Sequence, residues 1–132
     1  DALRRALGCD PDDTVARRHL AMTLMARGDN PAARRELERV LALDPGEAEA
    51  PVDLAVLDLA DGDFAAAVRR FEGLGEAAAA APRARFYHAV ALDQQGRRVE
   101  AEDRLSALAG AGRGKYRDKA RDYLAAARQR SA

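Results

Sequence analysis

Residues 26–45, ARGDNPAARRELERVLALDP, close one helix, open a second and close that one in turn. Gly28 suits a helix C-terminus. Asn30-Pro31 reads as an N-cap followed by proline at the first helical position, where the missing N–H costs nothing. The second helix runs to Leu43 and stops at Asp44-Pro45. Turn chemistry of the same kind returns at residues 60–74, ADGDFAAAVRRFEGL, so the interval between the copies decides the fold.

That interval is constant. Gly28-Asp29 recurs at Gly62-Asp63, and Gly96-Arg97 follows after the same step of 34 residues, as 62 − 28 and 96 − 62 give. Ala21, Ala55 and Ala89 share the step, as do Ala33, Ala67 and Ala101, and Leu37, Phe71 and Leu105. Pro11 and Pro45 add a further pair. Several independent series on one interval mark an internal repeat far better than any single motif. The physical logic is that of a helix hairpin. An alanine on the first helix opposes one on the second, the two backbones approach closely, and the large residue further along fills the groove beside them. One hairpin cannot bury its apolar face alone, so successive copies stack.

The pattern resembles the tetratricopeptide repeat family: a 34-residue unit, small residues at fixed places on both helices, and a closing LDP. Residues 14–47, 48–81 and 82–115 each fit one repeat, the first best, through HLAMTLMARGDNPAARRELERVLALDP. The resemblance implies an all-α, right-handed α-solenoid of antiparallel hairpins with about seven helices. Departures are visible. Arg17, Pro51 and Arg85 stand where an aromatic residue is usual early in the first helix, and Asp58 where an aromatic usually faces the hairpin partner. Gly73 and Gly75 are expected to cut the second helix of the middle repeat short, which makes EGLGEAAAAAP the least regular junction.

Residues 1–13 read as the second helix of a truncated repeat, with Leu3, Leu7 and Asp10-Pro11 in register, as if the chain were cut from a longer array. After the glycine-rich GAGRG, residues 116–132 form a capping helix. Tyr116, Ala120, Tyr123, Leu124 and Ala127 lie on one stripe, with Arg117, Arg121 and Arg128 away from it. The whole chain is thus expected to be one repeat domain belonging to a longer protein.

Composition narrows the function. Lysine plus arginine equals aspartate plus glutamate at 22 each, so a sequence-independent grip on nucleic acid or an anionic membrane is not expected. Aromatic residues make up 5% and tryptophan is absent, which argues against base stacking. No apolar run approaches the roughly 20 residues of a membrane span. With a single cysteine, Cys9, no internal disulfide can form. GAGRG follows no predicted strand, so it reads as a hinge between helices rather than a phosphate loop. His19 and His88 lie in different repeats without ligands at metal spacing, and DPDD at residues 10–13 reads as capping rather than a calcium loop. Ser106 and Ser131, the only serines, sit in no nucleophile motif. No catalytic residue, cofactor or metal is expected, and the chain is not expected to be an enzyme.

In a stack of this type the first helices line a concave side, and helical spacing then selects the residues of a groove. Arg18, Met22 and Met25 come from the first repeat, Glu49, Val52, Asp53, Val56 and Leu59 from the second, and Arg83, Phe86, Tyr87, Val90 and Asp93 from the third. The expected floor is apolar and the walls carry mixed charge, so the expected ligand is a peptide or helical segment of another protein. Some family members grip a carboxylate tail with a basic clamp. Arg18 and Arg83 match two of its basic members, but Met22 and Asp53 replace its asparagines and Tyr87 an arginine. An aspartate inside the clamp would repel the carboxylate. The alternative is a scaffold that self-associates through the open N-terminal end. A cytoplasmic location is expected, with a periplasmic or membrane-tethered place in a longer protein as the alternative.

Overall fold

The computed structural model describes residues 13–111 and 113–131. Eight α-helices follow one another among the described residues, with no strand: α1 (Thr14–Ala26), α2 (Asn30–Leu43), α3 (Glu49–Ala60), α4 (Phe64–Glu72), α5 (Glu76–Ala80), α6 (Pro82–Gln94), α7 (Arg98–Gly110) and α8 (Lys115–Ser131). The helix expected at residues 1–9, with Leu3 and Leu7, lies outside the described residues. The five-residue α5 was not expected from the sequence. Its alanines favour helix, but Gly75 at its start and Ala81 at its end hold it to little more than one turn.

The glycine series has one geometric cause. Gly28, Gly62 and Gly96 have φ of +81°, +79° and +90°, a backbone region that residues with a Cβ enter only at a cost. Each closes the preceding helix by the same pair of hydrogen bonds. The Gly28 N–H donates to the Met25 carbonyl and the Asp29 N–H to that of Leu24, and the pairs at Gly62-Asp63 and Gly96-Arg97 repeat the arrangement. The residue after the glycine then starts the next helix. Asp29 and Asp63 each accept a backbone N–H with Oδ1, from Ala32 at 3.3 Å and Ala66 at 3.1 Å. The N-cap is therefore Asp29 and not Asn30, because a cap carboxylate reaches the N–H three residues on while Asn30 is already helical. At the third copy Arg97 has no acceptor to offer and bonds Glu100 instead.

The contacts group into two compact units, one ending at Leu57 and the other beginning at Asp58 within α3. In the first, α1 and α2 form the hairpin, and the core joins Ala21, Ala33, Leu37, Val40, Ala50, Leu54 and Leu57, all with 1% exposure or less. In the second, α6 and α7 form the hairpin and α8 packs beside α7. Its core joins Phe86, Ala89, Leu105, Leu108, Ala120 and Leu124. All six alanines of the two periodic series have zero exposure. α4 ends at Gly73 after nine residues, against 14 in α2 and 13 in α7.

Two of the missing aromatics are replaced by ion pairs. Arg17 is buried with Glu36 of α2, Nη1 to Oε2 at 2.9 Å. Asp58 is buried and accepts from Arg70 Nε of α4 at 2.7 Å. In both places a charge facing the hairpin partner is neutralised by the opposite charge on that partner, which a buried ionic group requires.

Candidate functional site

In the first unit, α1 carries Val15, Arg18 and Met22 along one stripe, at intervals of three and four residues. Val15 is 64% and Met22 38% exposed. Met25, a turn further on, is half-buried against the core cluster. Between the two exposed apolar side chains, Arg18 is held in place: its Nε donates to Asp53 Oδ2 at 2.9 Å, and its Nη2 lies 3.6 Å from Glu49 Oε2. Asp53 is fully buried, so this pair fixes the guanidinium against the start of α3. A carboxylate clamp needs that guanidinium free, and here an internal carboxylate has taken it.

The groove expected from the sequence is only partly available. Val52, Asp53 and Phe86 are buried, because their positions on helix faces turn them inward. In the first unit Arg18, Met25 and Val56 are half-buried, while Met22 and Glu49 are exposed. In the second, Leu59, Arg83, Tyr87, Val90 and Asp93 are half-buried. Tyr87 and Val90 pack at the edge of the second core, beside Tyr116 and Tyr123 of α8. Tyr116 and Tyr123 belong to the apolar stripe of α8, and their packing here takes Tyr87 and Val90 out of an open surface.

Asp93 belongs to a different setting. It accepts the Tyr123 hydroxyl, and Arg130 Nη2 lies 3.9 Å away. Burial raises the Tyr123 pKa above its ordinary 10.0, and donation to Asp93 raises it further. Asp93, Gln94, Gly96, Arg98, Glu102, Ala127 and Arg130 line a cleft of about 310 Å³. The cleft exists only because the end of α8 returns to the α6–α7 turn, which helical spacing does not encode.

His88 stacks on Phe71 with ring centroids 5.3 Å apart, and its Nδ1 lies 3.5 Å from Arg104 Nη1. Burial lowers its pKa, the Arg104 charge adds to this, and Glu72 and Glu100 oppose it. His19 is exposed on α1. Among the described residues no group of three or more His, Cys, Asp or Glu side chains is placed to hold a metal ion. No helix there is long and apolar enough to cross a membrane.

Comparison with known proteins agrees with the repeat fold. The model of the tetratricopeptide repeat matches residues 1–51 and 24–85. Among solved structures the chain is similar to that titled "Crystal structure of MamA protein", with a TM-score of 0.64 and 20% identity. The match covers 86% of this chain and 66% of that one, and at such identity it speaks for the fold alone. A search of the curated proteins gives no match.

Proposed function

The chain belongs to the tetratricopeptide repeat family, whose members are generally protein–protein interaction modules, and from that premise we propose that it holds a peptide or helical segment of another protein on the face of α1, without catalysis. One observation carries this reading: two of the exposed large apolar side chains, Val15 and Met22, share a stripe with an arginine whose head group is already fixed. Single exposed apolar residues are ordinary, whereas a pair about two helical turns apart offers a partner two anchors on one line. Methionine adapts its shape to what it meets. Arg18 on the stripe and Glu49 beside it present both signs of charge, so they orient a segment rather than select an acidic or a basic one.

The test is a pair of variants used to recover a partner from the organism's extract. Met22→Glu sets a charge on the proposed anchor line and should lower recovery about tenfold or more. Val99→Glu places the same charge on another exposed apolar residue, on α7, and should leave recovery unchanged. Both sites are on the surface, so unchanged helicity by circular dichroism is expected for both. Equal recovery by the two variants would overturn the assignment to α1.

A further inference from the structure

α8 brings Lys119 over a group of rings. Its Nζ lies 5.9 Å from the centroid of Phe86, 5.8 Å from that of Tyr87 and 5.6 Å from that of Tyr116. The three centroids are themselves 5.1, 6.0 and 6.2 Å apart, with interplanar angles of 76°, 43° and 70°. No two of these rings stack face to face, and the Lys119 ammonium lies over all three. Phe86 is anchored in the second core, with Tyr123 edge-on to it at 6.3 Å. Among the described residues no carboxylate pairs with Lys119. Among these residues the rings are the partners of the ammonium, and ring faces attract cations through their quadrupoles.

A primary ammonium carries three N–H donors that seek acceptors, and a ring face is a poor one. A quaternary ammonium has no donors, carries its charge on methyl groups and is easily stripped of water, so the same three rings suit it better. We propose that Phe86, Tyr87 and Tyr116 form a binding site for a quaternary ammonium group, which Lys119 occupies as an internal placeholder until a ligand moves it aside. The site lies wholly in the second unit and does not depend on the partner segment proposed for α1, so either can fail without the other.

The test titrates tetramethylammonium into the full chain and follows its methyl proton resonance, which ring currents move upfield on binding. Lys119→Ala, which removes the ammonium shared by the three rings and leaves Lys115 Nζ 5.6 Å from the Tyr116 centroid, should give a saturable upfield shift with millimolar affinity, and the unaltered chain should bind at least about tenfold more weakly. Adding Tyr116→Leu to Lys119→Ala should abolish the shift, and adding Tyr87→Leu instead should do the same, so loss of fold in one double variant leaves the other to decide. Absence of a saturable shift with Lys119→Ala would overturn the proposal. So would a shift that survives in a folded double variant, because the cation would then be held elsewhere.

Discussion

Ala33→Leu tests the hairpin directly. Ala33 has zero exposure and shares a core cluster with Ala21 of the opposing helix, so the Cβ methyl already fills the space between α1 and α2. Replacing a methyl by an isobutyl group there must separate the helices or force side chains off their rotamers, at a cost of about 1–3 kcal/mol. The same substitution at Ala42, exposed near the end of the same helix, supplies the reference and should stay within about 0.5 kcal/mol of the parent. Urea unfolding followed by helicity separates the two. Ala33→Leu should lower the midpoint by roughly 0.5–2 M with an unchanged slope, because the surface exposed on unfolding hardly alters. If Ala33→Leu were as neutral as Ala42→Leu, the helices would not meet through the periodic alanines, and the packing reason for the repeat would be wrong.

Further outcomes follow from the caps and from His88. Arg97→Asp should restore at the third repeat the capping carboxylate that Asp29 and Asp63 supply at the first two, raising stability by about 0.5–1 kcal/mol in the same urea assay. Burial and then Arg104 hold the His88 pKa below its ordinary 6.5, so the unfolded chain takes up this proton first as pH falls. The contribution of neutral His88 is therefore complete above about pH 6.5 and is lost as pH drops towards the folded pKa. His88→Gln should flatten that part of the stability-against-pH curve, measured by urea midpoints between pH 7.5 and 5.

The repeat was legible because its signals are local and uncompensated. A left-handed turn at Gly28, Gly62 and Gly96 and a close helix approach at the six alanines each demand one residue type at one place, so they print directly on the sequence. The N-cap was misplaced by one residue because Asp29 and Asn30 are both good caps, and only the path of the backbone chooses between them. The replacements for the missing aromatics were not legible: Arg17 and Glu36 are 19 residues apart, and nothing marks them as partners until the hairpin closes. The exposure of the stripe residues was not legible for a similar reason. Helical spacing names a stripe, but how far the stripe is covered depends on the neighbouring helix. That is why Val52, Asp53 and Phe86 went into cores while Met22 stayed at the surface. Spacing marks the apolar stripe of α8 but not which rings Lys119 meets, because that depends on how the helix docks.

Site-specific photocrosslinking tests most directly whether the α1 face meets a partner. A photoreactive phenylalanine analogue is placed at Met22 or, separately, at Val99, and the chain is irradiated in cells of its own organism. A discrete crosslinked species should form from position 22, vanish when Val15→Glu is added on the same stripe, and be absent from position 99. Crosslinking from position 99 with none from position 22 would place the partner on α7 and contradict the assignment of α1.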